Sequence, residues 1–544
     1  MRKYLLIGSV ISCFLSCTTK EKVDMLVYNA TVYTVDSSFT IAEALAINNG
    51  KIVAVGSTDS LKDRYEGKIT LDAGKKFIYP GFIDAHTHFF RYGLGLQTVN
   101  LAGTQSWNEI VEKLQAFASV NKEGWLIGRG WDQNDWLVKE FPTKEKLDEL
   151  FGERPVFLTR IDGHGAIANQ KALDLGGIRA GDKIPGGEVE LKKGKLTGIL
   201  IDNAKSRVSS KIPYPAPQFI KKALTDAQRN CFAVGLTTVD DCGLDFKEVL
   251  LMDSLQKTGD LIMRIYAMLS DATANFDFLL GKGKIKTDRM NVRSFKVYAD
   301  GALGSRGACL LEPYNDKPGN SGFLLNTPLH FDSVAKRMYD NGFQMCTHAI
   351  GDSANRTILE IYSKYLKGKN DLRWRIEHAQ VVNQRDFSLF GRNNIIASVQ
   401  PTHATSDMYW AASRLGPDRV KGAYAYKQLL NQTGWIPLGT DFPVEDINPL
   451  NTFYAASLRK DVKGWPDSGF QVENALTREE TLRGMTIWAA RSNFEEDEKG
   501  SLEKGKMADF ILLDQDILNA EPSLIPTTQV LKTFLNGEKV YEVK

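Results

Sequence analysis

Histidine is scarce in this chain, with only 7 among 544 residues. An excess of charge of either sign is also lacking, because 68 Lys and Arg against 66 Asp and Glu leave a formal net charge of +2. No basic block occurs either, which argues against a nucleic-acid-binding protein. The sequence shows no internal repeat and no low-complexity tract. With 43% apolar and 25% charged residues, its composition is that of an ordinary globular protein.

Cysteine is rarer still, with six in the chain, two of them within the first 17 residues. The other four form no CxxC pair and no regular disulfide framework. A chain of this length can bury a large core without covalent cross-links, so we interpret these four as mostly buried thiols. They are Cys231, Cys242, Cys309 and Cys346.

Long apolar runs are missing, and the nearest approach to one is at the N-terminus. Met1–Lys3 carries positive charge, and Tyr4–Leu15 is apolar but too short to span a bilayer. A Leu-Ser-Cys sequence and a polar stretch follow, which resembles a bacterial lipoprotein signal over residues 1–17 with Cys17 as the lipidated residue. Cys13 is an alternative, and so is an ordinary secretory signal. An exported protein anchored by lipid to the bacterial cell envelope is expected, at the periplasmic or outer-membrane face.

Short β-rich runs recur after this segment and alternate with helix-length stretches. Such alternation predicts βα units and a parallel sheet. Eight runs predict a closed (β/α)8 TIM barrel, class α/β. A doubly wound sheet is the alternative, but no GxGxxG follows an early strand. The runs are residues 76–85, 236–240, 262–268, 293–298, 342–348, 373–378, 395–400 and 435–440.

Two further units are predicted around the barrel, which itself spans residues 80–499. About residues 90–216 form an insertion after the first barrel strand, which we interpret as a lid over the C-terminal face. Residues 23–79 and 500–544 contain strands and Asn-Gly hairpins, so the two chain ends are expected to build one small β-sandwich.

Polar side chains stand at the ends of these predicted strands. In Gly81–Phe90, "GFIDAHTHFF", alternation along a strand would aim two histidines at one point. Two histidines alone do not make a metal site, but other polar residues end further strands, where barrel enzymes carry their chemistry. The sequence therefore predicts a metal site. Its members are His86, His88, His348, His378 and Asp441, and Lys296 lies inside a further predicted strand, near its C-terminal end.

Five motifs in this order are similar to those of the amidohydrolase superfamily, and closest to its YtcJ-like branch, the amidohydrolase 3 family. They are "GFIDAHTH", "FKVYADGALGSRGA", "CTHAIGD", "RIEHAQ" and "LGTDFPVE". The ends, "ALAINNGKIVAVGS" and "GSLEKGKMADFILLD", are typical of the β-sandwich of these proteins. The resemblance covers the chain after the signal and implies a TIM barrel with one or two divalent metal ions.

The resemblance also implies a role for each metal-site residue. The four histidines resemble ligands, and Asp441 resembles the aspartate that is both ligand and general base. Lys296 resembles a lysine that is N-carboxylated in many relatives and bridges two metals; an amine paired with an acid such as Asp300 is the alternative. Zinc is the expected metal, with iron, manganese and cobalt as alternatives.

Four residues are candidates for substrate binding: His164, His403, Arg306 and Trp131. His164 could instead stabilise its loop, Arg306 could cap one, and Trp131 could pack inside the lid. The seventh histidine, His330, is expected at the surface.

The predicted function is metal-dependent hydrolysis of a non-peptide carbon–nitrogen bond in a small molecule, by attack of a metal-activated water. An N-substituted amide or N-acyl compound is the expected substrate. A deaminase, or a hydrolase of cyclic amides, lactones or esters, would use the same ligands. A non-catalytic lipoprotein that binds nutrients is the alternative from another class. No nucleic-acid partner is expected, and a homodimer stays open.

Overall fold

The computed structural model describes residues 19–368 and 370–544 as a mixed α/β protein. The predicted signal, with Cys13 and Cys17, lies outside the described residues. Within residues 19–368 and 370–544, none of the helices is both long and apolar enough to cross a membrane.

A sheet of seven parallel strands, curved into a nearly closed barrel, forms the centre of the protein. Neighbours in the sheet follow one another along the chain, and every pairing between them is parallel. The predicted TIM-type fold is confirmed. The strands are Phe82–Thr87, Leu236–Leu244, Arg264–Ser270, Met290–Tyr298, Gln344–Ala349, Arg375–His378 and Ile396–Ser398, and the short strand Ile285–Lys286 pairs with the fourth of them.

The eighth position of the barrel is filled by residues 436–442, although the predicted strand at 435–440 is not regular. Pro437 lacks an N–H group and cannot donate to a ladder. The segment still bonds on both sides, because Gly439 donates to Val399 O and Ala85 donates to Leu438 O, at 3.0 and 3.2 Å. Residues 436–442 therefore lie between the seventh and first strands and bring Asp441 to the same end as His86.

Helices surround the barrel and carry its core on their inner faces. Several begin at a side-chain cap; Asp245 and Thr477, for example, each form a capping box with a glutamate three residues on. The helices outside the lid are Thr58–Arg64, Phe89–Gly95, Pro217–Ala233, Phe246–Lys257, Thr273–Lys282, Pro328–Asp340, Asp352–Tyr365, Phe387–Arg392, Pro401–Asp407, Ala411–Arg419, Tyr426–Thr433, Pro449–Leu458, Arg478–Gly484 and Ile487–Ser492.

The segment predicted as a lid has a sheet and hydrophobic clusters of its own. In sheet order, its strands are Gly187–Lys192, Lys195–Asp202, Gly165–Ala168, Val156–Arg160, Leu126–Trp131 and Val99–Asn100. Its helices are Trp107–Val120, Glu145–Phe151, Gln170–Gly176 and Asn203–Ser209. Because it packs around its own core, its loops can be held rigidly against the barrel.

Two further sheets are built from the chain ends. One contains, in order, Lys51–Gly56, Ala44–Asn48, Glu21–Tyr28 and Tyr65–Asp72. The other mixes both ends of the chain: Glu538–Glu542, Val530–Leu535, Phe510–Leu513, Phe77–Pro80, Thr31–Tyr33 and Ile41–Ala42. A shared apolar cluster packs side chains of both sheets together. The run predicted at 76–85 is thus two strands, because the chain passes at Gly81 from this sheet into the barrel.

Candidate metal centre and active-site cavity

The predicted metal-site residues converge at one end of the barrel, although they come from five different parts of the sheet. The His86 and His88 rings lie 5.8 Å apart, and the His86 ring is 4.8 Å from that of His378. The His348 ring lies 4.6 Å from the His378 ring. Asp441 completes two groups of three potential ligands, one with His86 and His88 and one with His378 and His403, whose ligand atoms lie within 4.8 Å of one another.

The tautomers of the first two histidines follow from their partners. His86 Nδ1 donates to Glu377 Oε2 at 2.5 Å, and His88 Nδ1 donates to the carbonyl oxygen of Cys242 at 3.2 Å. Each Nε2 therefore carries a lone pair, and both face Asp441 Oδ1, at 3.7 Å from His86 and 3.3 Å from His88. Three acceptors that point at one another repel unless a cation lies between them, so this arrangement fits a divalent metal ion.

The four imidazoles are suited to metal binding because they are neutral. Burial lowers the pKa of His88 to about 4. Burial also lowers the pKa of His86, and it lowers the pKa values of His348 and His378 well below their usual range. A neutral imidazole offers a lone pair, whereas an imidazolium offers none. His348 Nε2 and His378 Nδ1 are moreover buried without a hydrogen-bond partner among the described residues.

Lys296 lies in the middle of this cluster and is completely buried. Its Nζ donates to His86 Nε2 at 3.0 Å. Within residues 19–368 and 370–544, no carboxylate oxygen lies within 4 Å of this nitrogen. Asp300, the alternative partner, instead accepts hydrogen bonds from the backbone N–H groups of Ile350, Gly351 and Cys309. The pairing of Lys296 with Asp300 is therefore not observed.

Asp441 uses its two oxygens differently. Oδ1 is buried without a donor, whereas Oδ2 accepts a hydrogen bond from His403 Nε2 at 3.2 Å. Burial by itself would raise the pKa of Asp441, but the hydrogen bond from His403 is the main influence that holds it well below its usual range. His403 Nδ1 donates to Glu445 Oε1 at 2.9 Å, so the imidazole bridges two carboxylates. Burial opposes its protonation, yet the two hydrogen bonds raise the pKa of His403 to about 10.

Two of the metal-site residues have an unusual backbone conformation. His378 and Asp441 are non-glycine residues with φ of 74° and 63°, in the left-handed region. Such residues cost about 1–3 kcal/mol each and persist where the surrounding structure fixes them. Asp84 helps to fix the second, since it accepts hydrogen bonds from the backbone and hydroxyl of Thr440 at 2.9 and 2.6 Å. The backbone thus orients both side chains toward the cluster.

A cavity of about 240 Å³ opens above the cluster between the barrel and the predicted lid. His164 and His403 both line it, as predicted for substrate-binding residues. His164 also donates from Nδ1 to Asp202 Oδ1 at 2.5 Å, which fixes its ring 5.0 Å from that of His348. His330, by contrast, is not among the cavity-lining residues of the described chain and pairs with Asp271 at 3.1 Å.

The other two substrate-binding candidates are not among the cavity-lining residues of the described chain. Trp131 is fully buried in the core of the lid, and its Nε1 donates to Leu158 O at 2.9 Å. Arg306 pairs with both oxygens of Asp316, at 3.2 and 3.0 Å. Their polar groups already have protein partners, so the structure places Trp131 in packing and Arg306 in a loop ion pair.

Three carboxylates next to the site were not predicted from the sequence. Glu377 fixes the His86 tautomer and is itself held by Arg375 Nε at 2.6 Å. Glu445 binds His403, and Asp202 binds His164. Glu377 and Glu445 lie inside the motifs "RIEHAQ" and "LGTDFPVE", which offered a local signal. Asp202 lies 38 residues from His164, and no local pattern marks it.

Known proteins resemble this chain over nearly its full length. Protein LONG AFTER FAR-RED 3 of Arabidopsis thaliana is 34% identical, over 95% of this chain and 91% of its own. YtcJ of Bacillus subtilis (strain 168) is 30% identical, over 94% of this chain and 98% of its own. An N-substituted formamide deformylase of Arthrobacter pascens is 26% identical, over 95% of this chain and 98% of its own.

A solved structure and a family model agree with these relatives. An uncharacterized metal-dependent hydrolase from Pyrococcus horikoshii superposes with a TM-score of 0.75 and 26% identity, over 92% of this chain and 99% of its own. The model of the amidohydrolase family matches residues 70–541, which include the barrel, the predicted lid and the C-terminal strands of the paired sheets. The alternative of a non-catalytic nutrient-binding protein is therefore rejected. The chain belongs to the amidohydrolase family and is a metal-dependent hydrolase that acts on carbon–nitrogen bonds.

Proposed function

We propose that this hydrolase cleaves the acyl carbon–nitrogen bond of a small N-substituted amide or N-acyl compound. The observation that carries the proposal is the environment of Asp441, whose Oδ1 faces the lone pairs of His86 and His88 while His403 holds Oδ2. Such a carboxylate can accept and return a proton next to a bound cation. The likeness to an N-substituted formamide deformylase supports an amide substrate.

The size and the polar lining of the cavity favour a small, polar substrate. A volume of about 240 Å³ lies below the usual range of drug-sized pockets, about 300–1,000 Å³. Its wall combines histidines and carboxylates with a few apolar residues such as Leu303, Ile350 and Val444. An acyl group and a short amine fit such a volume, whereas a folded peptide does not.

Zinc is the metal we propose, because neutral imidazoles and carboxylates are its usual ligands. His86, His88, His348, His378 and Asp441 would hold it. Lys296 is proposed to be N-carboxylated and to bind as an anionic oxygen ligand. A buried ammonium without a carboxylate partner is unfavourable and would repel the cation, whereas a carbamate removes both problems.

Each residue has a definite part in the proposed reaction. A bound divalent cation supplies a water of lowered pKa and polarises the substrate carbonyl. Asp441 Oδ1 accepts the proton of the attacking water and delivers it to the leaving nitrogen. His403 donates to Oδ2 throughout, so that Oδ1 stays directed at the reacting atoms. His164, held by Asp202, faces the cavity and can donate a hydrogen bond to the substrate.

The substrate class can be tested with purified, zinc-loaded protein and a panel of N-substituted formamides, N-acyl amino acids, anilides, aminopurines, lactones and esters. We expect amine release from at least one N-acyl class, metal at one or two ions per chain, and loss of activity on chelation that added zinc restores. Turnover confined to aminopurines, or to lactones and esters, would contradict the proposal and leave the hydrolase assignment in place.

We also propose that the chain is exported and anchored in the bacterial cell envelope through lipid on Cys17. The proposal rests on the charge, apolar length and Leu-Ser-Cys sequence of residues 1–17. Labelled palmitate should enter the wild-type protein and the Cys13→Ser variant, but not Cys17→Ser. Labelling of Cys17→Ser, or a wild-type protein that stays unlabelled, would rule this anchor out.

A further inference from the structure

A buried arginine lies beside the metal cluster without being one of its predicted members. Arg375 begins the sixth barrel strand, three residues before His378, and its side chain is completely buried. Neither Arg375 nor its partner Glu377 is among the cavity-lining residues of the described chain, so neither is placed to meet a substrate. Burial of a guanidinium is unfavourable unless hydrogen bonds and opposite charges offset it. The partners of Arg375 therefore decide where its side chain lies.

Each nitrogen of the Arg375 guanidinium donates a hydrogen bond. Nε donates to Glu377 Oε1 at 2.6 Å, and Nη2 donates to the carbonyl oxygen of Ala85 at 2.7 Å. Nη1 donates to Asp240 Oδ2 at 3.0 Å. These three partners belong to the sixth, first and second strands of the barrel. One guanidinium thus connects three strands below the metal cluster.

Asp240 and Asn493 keep the guanidinium from turning. Asp240 lies on the second strand, which contributes none of the predicted metal-site residues. Its Oδ1 accepts a hydrogen bond from Asn493 Nδ2 at 2.5 Å, and Asn493 Oδ1 in turn lies 3.3 Å from Arg375 Nη1. The three side chains form a closed ring of hydrogen bonds and are all fully buried. A buried polar network whose members are satisfied is rigid, so the position of Arg375 is fixed.

Arg375 is connected to His86 by two short routes. Glu377 Oε2 accepts the Nδ1–H of His86 at 2.5 Å, while its other oxygen accepts from Arg375. Ala85 O, which Arg375 Nη2 also binds, belongs to the peptide bond that leads into His86. The ring and the backbone of His86 are therefore both fixed relative to one guanidinium. This directs His86 Nε2 toward Asp441 Oδ1, 3.7 Å away.

We propose that Arg375 is a positioning residue of the metal centre: anchored by Asp240 and Asn493, it holds Glu377 and so fixes the His86 imidazole for the metal ion. Partners that orient a ligand and raise its basicity are worth about 10–100-fold in metal affinity. The affinity for the metal thus depends on a buried cation that contacts neither the metal-binding atoms nor the cavity. This inference rests on the metal centre and is independent of the substrate.

A purely structural role is the alternative, because removing one partner of a buried ion pair destabilises a protein. Arg264, on the third barrel strand, provides the comparison. It is also fully buried, and it donates to both oxygens of Asp509 at 2.7 and 3.1 Å. Asp509 and Asn536, a further partner of Arg264, come from the C-terminal segment that builds the paired sheets. A change at Arg264 should therefore lower stability without changing metal affinity.

The test measures zinc binding by the folded protein, so that it does not depend on turnover. Competition with a chromophoric chelator should give Arg375→Met a zinc Kd about 10–100-fold higher than that of the wild type, and Glu377→Gln an increase of similar size. Arg264→Met is the matched control and should keep the wild-type Kd. The visible absorption of the cobalt-loaded protein, which depends on ligand geometry, should change in the first two variants and not in the control.

A double variant shows whether Arg375 acts through Glu377. If it does, Arg375→Met should raise the Kd little further in a Glu377→Gln background, whereas independent effects would multiply to about 10²–10⁴-fold. Independent effects would overturn the proposal. Should Arg375→Met fail to fold, Asp240→Asn serves in its place, because the amide has one acceptor oxygen instead of two and no negative charge. It should also raise the zinc Kd, and its matched control, Asp509→Asn, should not.

Failure of this inference is distinguishable from failure of the proposed function. An unchanged zinc Kd and cobalt spectrum in Arg375→Met, or in Asp240→Asn where the former does not fold, overturns the inference and makes Arg375 a structural residue. An equal loss of affinity in Arg264→Met does the same, since affinity would then follow stability. Amide turnover with a Kd that is independent of Arg375 keeps the proposed function. A Kd that depends on Arg375 without any amide turnover keeps this inference and rejects the amide reaction.

Discussion

Asp441→Asn is expected to lower kcat by about 10²- to 10⁴-fold, the range that general acid–base catalysis supplies. An amide cannot take the proton of the attacking water, but its oxygen can still occupy the place of Oδ1. The fold and most of the bound metal should therefore remain. Steady-state kinetics, metal analysis and a thermal unfolding curve on the same preparation measure these three properties.

The control for this variant is Asp467→Asn, the same change at an exposed position away from the cavity lining. It should keep full activity and full metal content. If Asp441→Asn retains more than about a tenth of the wild-type kcat, Asp441 is not the general base. Glu445, which is hydrogen-bonded to His403, would then be the next candidate.

Lys296→Met is expected to lower the metal content, and to lower kcat/KM by about 10²-fold or more. Loss of a residue that only orients a ligand already lowers metal affinity by about 10–100-fold, and loss of a ligand should cost at least as much. Methionine has a similar length and suits a fully buried position, so loss of metal would reflect loss of the ligand. Metal analysis and kinetics in bicarbonate-containing buffer measure the two effects.

A separate measurement distinguishes the carbamate from the amine. Wild-type protein loaded with zinc in 13C-bicarbonate should give a carbamate carbon signal, and Lys296→Met should not. A metal-loaded wild-type protein without this signal contains an unmodified lysine. Full metal content and activity in Lys296→Met would show that Lys296 is not a ligand at all.

Much of the barrel could be predicted from the sequence because its strands are short β-rich runs that alternate with helix-length stretches. Six of the predicted runs overlap a regular barrel strand, and a seventh, residues 76–85, overlaps the first barrel strand and includes a strand of the paired sheets. The run at 435–440 shows the limit of this reasoning. Pro437 prevents a regular ladder, and only hydrogen bonds to both neighbouring strands hold this segment in place.

The predicted substrate contacts show the same limit more clearly. Trp131 and Arg306 have the chemistry of ligand-binding residues, but their polar groups bond to Leu158 and Asp316. Whether a tryptophan or an arginine faces a cavity depends on what packs against it, which residue type and spacing do not encode. His164 and His403 do line the cavity, because the fold brings the ends of the segments that precede them to this part of the protein.

The sequence by itself determined the residue types available for a metal site, their order along the chain and the family to which the chain belongs. Residue identity and local spacing suffice for this, because side chains two residues apart on a strand point to the same face, and because each motif is a continuous stretch of sequence. Only the tertiary structure decided which atoms face one another. The contacts of Glu377 with His86 and of Glu445 with His403 join residues 291 and 42 positions apart, and only folding brings such groups within hydrogen-bonding distance.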